Sequence, residues 1–214
     1  MPDTNLALFV AASLTVIVTP GPDNVYVLTR GIAQGRKVAL ASAWGMCSGL
    51  LFHTALAAVG LSTILARSAV ALSVVKYIGA AYLVYLGVRA LLSREEFSPS
   101  VEKIFTVKLR TFFFQGLTMN LLNPKVAVFF MAFLPQFVSP RVGTAGGVAL
   151  RLVALGLVFA LLSVIIFSAI TLFSGVVGDR LGRNPRFAIA LRWSTGFVLV
   201  GLGVRLALLG RQWS

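Results

Sequence analysis

Acidic side chains are scarce in this chain, with six among 214 residues against 19 lysines and arginines, and charged residues of either sign reach only 12%. A soluble domain carries about 25% charged residues, so there is too little charge here to dress a globular surface of this size. The single cysteine, Cys47, excludes an internal disulfide and a cysteine-clustered metal site. One histidine, and no H-E-x-x-H or G-x-S-x-G pattern, leave little from which to build an intramembrane enzyme. No cofactor or metal site is expected.

What the chain has instead is apolar length. Hydrophobic residues make up 58%, and a transmembrane helix needs about 20 mostly apolar residues. Six stretches qualify: Leu6 to Leu28, Val38 to Ala66, Ala69 to Leu92, Phe112 to Val138, Gly147 to Val177 and Phe187 to Leu209. An all-α membrane protein of six transmembrane helices is predicted. The one sizeable connection, Ser93 to Arg110, holds Glu95, Glu96 and Glu102 and predicts a short interfacial helix over Ile104 to Arg110. The opening MPDTNLALFV has no basic region, and its apolar run ends without an A-x-A pattern, so no removable signal peptide is expected.

The net charge of +13 would suggest a polyanion partner in a soluble protein. In a membrane protein it sets orientation. Twelve basic residues follow spans one, three and five, six lie on the other side, and Lys125 falls inside span four. The positive-inside bias places both termini outside. No nucleic-acid partner is therefore needed to explain the charge; the partners expected are the lipid bilayer, a small-molecule substrate and protons.

The two halves resemble each other. Leu86-Gly87-Val88-Arg89 near the end of span three returns as Leu202-Gly203-Val204-Arg205 near the end of span six, and at the same offset Lys76-Tyr77 meets Arg192-Trp193. Gly21-Pro22-Asp23 in span one has its counterpart in Asn123-Pro124-Lys125 in span four. Three spans per copy is an odd number, so the second copy enters the membrane from the opposite side. The expectation is two inverted three-helix repeats, residues 1–95 and 111–214 joined by a cytoplasmic linker over 96–110, with helices one and four broken.

Those breaks carry the candidate site. Pro20 and Pro22 lack amide donors, and Gly21 between them permits unusual dihedrals. Irregular backbone at membrane depth is tolerated only where protein or a wet cavity satisfies it. Asp23 is the one acidic residue inside an apolar span, and intramembrane charges are rare and functional by default. With Asn24 it stands at the position matched, in the other half, by Asn120, Asn123, Pro124 and Lys125. Together these offer a carboxylate, an ammonium and amides that match a zwitterion. The alternative is a structural kink pair, with Asp23 and Lys125 near the cytoplasmic ends of their spans as an ion pair. His53 is read as hydrogen-bonded packing ahead of proton relay. Ala41, Gly45 and Gly49 form a small-residue face for close helix contact, Tyr77, Tyr82, Tyr85, Trp193 and Trp213 suit interfacial belts, and Arg151 and Arg205 are placed to snorkel.

The stretches TPGPDNVYVLTRG (Thr19 to Gly31), GRK (Gly35 to Lys37), YIGAAYLVYLGVRAL (Tyr77 to Leu91) and FFQGLTMNLLNPKVAVFFMAFLPQF (Phe113 to Phe137) resemble the LysE/RhtB family of amino-acid exporters. The resemblance spans nearly the whole chain. It implies a six-helix bacterial inner-membrane protein that expels amino acids or close derivatives in exchange for protons. The family's elements fall on Pro20, Gly21, Pro22 and Asp23, and on Asn123, Pro124 and Lys125. A carrier with alternating access around Asp23 and Lys125 is the leading expectation, in which Asp23 takes a proton as substrate competes for Lys125. A channel or structural subunit is the alternative, and an intramembrane enzyme ranks last. No side chain selects among amino-acid substrates, and monomer or homodimer stays open.

Overall fold

The computed structural model describes residues 6–19, 21–61, 69–92, 108–138, 144–183 and 185–208. Eight helices occupy them: α1 (Leu6–Val18), α2 (Pro22–Gln34), α3 (Arg36–Leu56), α4 (Ala69–Leu92), α5 (Leu109–Leu121), α6 (Pro124–Val128), α7 (Ala145–Arg183) and α8 (Pro185–Leu208). A π turn over Ala57–Leu61 extends α3, and a π turn over Phe129–Phe133 followed by a 3-10 turn over Leu134–Phe137 extends α6. No strand occurs among the described residues.

Three helical stretches, Arg36–Gly60, Ser73–Leu92 and Gly146–Val176, are long and apolar enough to cross a membrane, and two bent pairs, α1 with α2 and α5 with the α6 segment, bring the number to five. The remaining apolar stretch, Trp193–Leu208, is shorter. Each expected span thus has a helical counterpart, and spans one and four are broken where the prolines predict. The expected interfacial helix over Ile104 to Arg110 falls mainly outside the described residues, and α5 begins at Leu109.

The position of the breaks differs from the expectation. Hydropathy falls after Leu28, but the backbone hydrogen bonding of α2 continues to Gln34 and stops only at Gly35, whose φ of 87° lies in the left-handed region open to glycine. Thirteen residues of α1 and thirteen of α2 therefore flank the first break. Asp23 thus lies near the midpoint of the bent pair, away from either end. The second break is likewise central, with α5 on one side and Pro124–Phe137 on the other at a bend of 48°.

Two glycine seams fix the register. Along the first, Gly45 lies against the backbone of Phe113 and Leu117, Gly116 against Ser42, and Gly49 against Asn120, so α3 and α5 run parallel in near contact. Along the second, α4 and α8 run antiparallel. A Cβ on Gly87 would stand 2.8 Å from the Gly196 carbonyl oxygen, and one on Gly203 would stand 2.8 Å from that of Ala80. Gly87 also faces Val200 and Gly203 faces Val84. Ala80 and Gly196, Val84 and Val200, and Gly87 and Gly203 are each 116 residues apart, so one shift carries either half of the seam onto the other.

The long helix α7 packs on α1, α2 and α3, with Gly156 against Thr54 and Ser174 against Gly31. A cluster of phenylalanines, Phe9, Phe129, Phe130, Phe133, Phe137 and Phe159, fills the space between α1, the α6 segment and α7. The large side chains left exposed on α4 and α8, among them Ile78, Tyr85, Trp193 and Phe197, suit a lipid-facing surface.

Candidate functional site

Ending a helix leaves its last carbonyls without intrahelical partners. In α1 the loss is enforced by sequence, because the residues that would bond to Val16 and Val18 are prolines 20 and 22. Pro20 itself lies outside the described residues. Gly21 is extended (φ −158°, ψ −178°) and Pro22 opens α2. The open carbonyls are met by two side chains. Lys125 Nζ donates to the oxygens of Val16 at 3.1 Å and Thr19 at 3.0 Å, and Asn24 Nδ2 donates to Ile17 at 2.9 Å and, at the long limit of 3.4 Å, to Val18. Gly21 makes room: a Cβ there would stand 3.0 Å from Lys125 Nζ.

The second break is closed locally. Asn123 Oδ1 accepts from the Lys125 amide at 3.0 Å, an N-cap ahead of Pro124, and the Asn123 amide turns back to the Asn120 carbonyl at 3.0 Å. That carbonyl also meets His53 Nε2 at 3.2 Å. A carbonyl only accepts, so this contact requires the tautomer with the proton on Nε2. The ring packs against Phe130, with centroids 5.8 Å apart.

Between the breaks, Asn120 Nδ2 donates to Asp23 Oδ2 at 3.2 Å. Asp23, Asn24, Asn120, Asn123, Lys125 and His53 are all buried. The chain thus brings together the described members of the expected set, Gly21, Pro22, Asp23, Asn24, Asn120, Asn123, Pro124 and Lys125. It does not pair Asp23 with Lys125 directly. The ammonium is taken by helix-end carbonyls, which offer partial negative charge, and the ion-pair alternative gives way to cross-capping.

Four polar atoms here are buried without a well-formed hydrogen bond: Asp23 Oδ1, Asn24 Oδ1, Asn120 Oδ1 and Asn123 Nδ2, the last close enough to Asp23 to interact with its carboxylate. Lys125 also keeps one of its three protons uncommitted beyond the two bonds above. Buried polar groups are ordinarily satisfied, so the set presents acceptors and donors to a third party. His53, read from the sequence as hydrogen-bonded packing, is that, but its partner is the site's own Asn120, a link that depends on α3 lying beside α5. One and two turns beyond Asp23 on α2, Tyr26 OH donates to Gln115 Oε1 at 2.7 Å, and the Arg30 guanidinium lies over the rings of Tyr26 at 4.9 Å and Phe112 at 5.1 Å. Elsewhere, one guanidinium nitrogen of Arg151 is buried without a partner, short of the snorkelling expected.

Apolar spans with two discontinuous helices and, among the described residues, a buried aspartate and lysine at the breaks define a multi-pass membrane transport protein. The model of the LysE type translocator family matches residues 14–210, and the chain belongs to that family. It is a translocator, not an enzyme. An uncharacterized membrane protein of Pseudomonas aeruginosa is 31% identical, covering 95% of each chain. The uncharacterized membrane protein YrhP of Bacillus subtilis is 29% identical over 95% of this chain and 99% of its own. The leucine efflux protein of Klebsiella pneumoniae is 30% identical over 96% and 95%. No solved structure matches the chain.

Proposed function

We propose that the chain exports neutral amino acids across the bacterial inner membrane in exchange for protons, by alternating access around the paired breaks. The observation that carries this reading is the set of buried polar atoms without a well-formed hydrogen bond. Three acceptors, one of them on a carboxylate, suit a substrate ammonium; the Asn123 amide and the free Lys125 proton suit its carboxylate. The position of both breaks at the centres of their bent pairs supports a site at the bilayer midplane.

Charge balance narrows the substrate. Asp23 and Lys125 are the buried charges of the site, and a zwitterion matches both. A cationic or anionic substrate side chain would then be an uncompensated buried charge, which is costly. The phenylalanine cluster that begins at Phe129, one turn from Lys125, puts apolar surface beside the site. Relatives named leucine efflux protein support the same class.

Six alternating crossings place α3 parallel to α5 and α4 antiparallel to α8, which are the directions observed. Exchanging the halves maps the α3–α7 and α4–α8 pairings onto themselves, and the packing of α1 and α2 on α7 corresponds to that of α5 on α3. Both features support two inverted repeats, about 1–95 and 111–214, that rock about the site. With both termini outside, the contacts of Tyr26, Arg30, Phe112 and Gln115 close the cytoplasmic approach.

The decisive experiment is efflux from proteoliposomes loaded with leucine. A pH gradient should accelerate efflux through the unaltered protein and leave an Asp23→Asn variant unresponsive. A variant that still follows the gradient fully would sink the coupling role, and unsaturable conductance would indicate a channel. Orientation is testable with Cys47 replaced by serine: a cysteine at exposed Arg36 should be labelled from the cytoplasmic side only, and one at exposed Thr144 from outside only.

A further inference from the structure

Resting on the reading of Asp23 and Asn120 as the transport site, we propose that one face of α3, made by Gly49 and His53, is the positioning element that holds Asn120 against Asp23. The two residues lie one helical turn apart and therefore share a face, and both meet Asn120. From one position His53 Nε2 donates to the Asn120 carbonyl at 3.2 Å. From the other, the bare Gly49 lies flush against the side chain, where a Cβ would stand 2.6 Å from Asn120 Oδ1 and 3.0 Å from Asn120 Cβ.

Backbone and side chain of Asn120 are thereby both fixed by α3, and the amide that results reaches Asp23 Oδ2 at 3.2 Å. His53 makes its hydrogen bond to Asn120 and none to Asp23, so its positioning role runs through Asn120. The ring is itself held, buried on α3 between Phe52 at 6.3 Å and Phe130 at 5.8 Å. A donor at the Nε2 position is what the geometry requires of residue 53. A glutamine reaches a similar position with its own N–H, whereas leucine fills comparable space without a donor.

The role predicts a split between affinity and turnover. In leucine counterflow, with no proton gradient, His53→Leu should raise the half-saturating concentration about tenfold, the scale of one buried hydrogen bond and the reorientation it permits. Maximal flux should be nearly unchanged. His53→Gln should restore the affinity. Gly49→Ala, which displaces the Asn120 amide without touching His53, should mimic His53→Leu. Circular dichroism and size exclusion in detergent identify any variant that fails to fold, and Gly49→Ala and His53→Leu provide independent routes to the same readout.

Unaltered affinity in both folded variants overturns the inference, as does a His53→Gln protein as impaired as His53→Leu. Asp23→Asn separates the inference from its premise. If Asp23→Asn abolishes gradient-driven efflux while His53→Leu and Gly49→Ala transport normally, the positioning role alone fails. If Asp23→Asn has no effect, the site reading fails and takes the inference with it.

Discussion

The two helix breaks use the same opening device and opposite means of closure. Each second half starts with proline, Pro22 in one and Pro124 in the other, where a missing N–H costs nothing. Asn123 then caps its own helix, and a tight turn returns the Asn123 amide to Asn120. Gly21 offers no side-chain cap, and the carbonyls it leaves behind are taken by Asn24 and by Lys125 from the other half of the chain. The second break has its own helix cap; the first, beyond its local bond from Asn24, depends on Lys125 from the other half of the chain.

The charges follow the same asymmetry. Asp23 lies in the first turn of α2, where a helix dipole favours negative charge. Lys125 occupies the equivalent position of α6, which its own helix disfavours, and the carbonyl end of α1 compensates. A substrate carboxylate that draws Lys125 away would therefore uncap the first break and leave the second intact. In the proposed cycle the two halves would then play different parts.

Removing the shared ammonium is the severest test. Lys125→Met should lower stability by roughly 3–5 kcal/mol, because Asp23 is left as a buried charge without its counterpart and two carbonyls lose their donor. Adding Asp23→Asn should recover a large part of the loss in thermal unfolding. Simple additivity of the two would show that the charges do not communicate.

A smaller effect should come from the α4–α8 seam. Gly87→Leu and Gly203→Leu should each cost about 1–3 kcal/mol through overpacking, and by similar amounts, since each places a side chain on the equivalent carbonyl of the other helix. Unequal losses in unfolding would show that the symmetry of the seam is geometric and not energetic.

The smallest effects distinguish the breaks individually. Asn24→Ala should cost about 1 kcal/mol and Asn123→Ala about as much, the one by losing a hydrogen bond to the end of α1 and the other a helix cap. Hydrogen exchange should locate them apart, with faster exchange near the first break for Asn24→Ala and at the start of α6 for Asn123→Ala. If Asn123→Ala loosens both breaks equally, local closure of the second is wrong.

Much of the site was legible because the signals are chemical. Prolines remove donors wherever they sit, and an aspartate or lysine in an apolar run stands out against the cost of burying it. The depth of Asp23 was not legible, because hydropathy falls after Leu28 while the helix continues to Gln34. The partner of Lys125 was not legible either. A nearby carboxylate is the obvious choice from a list of residues, but α1 delivers two oxygens from its own end. His53 carried no motif, and its hydrogen bond to Asn120 appears only with α3 packed along α5.

By itself the sequence determined the membrane setting, the helical segments, the two breaks and the polar groups gathered at them, since each follows from local hydrophobicity, missing backbone donors or charge. Tertiary structure alone decided which of those groups satisfy one another. Capping α1 requires a donor from a residue more than a hundred positions away, and only the packing of one half against the other brings Lys125 within hydrogen-bond reach of Val16 and Thr19.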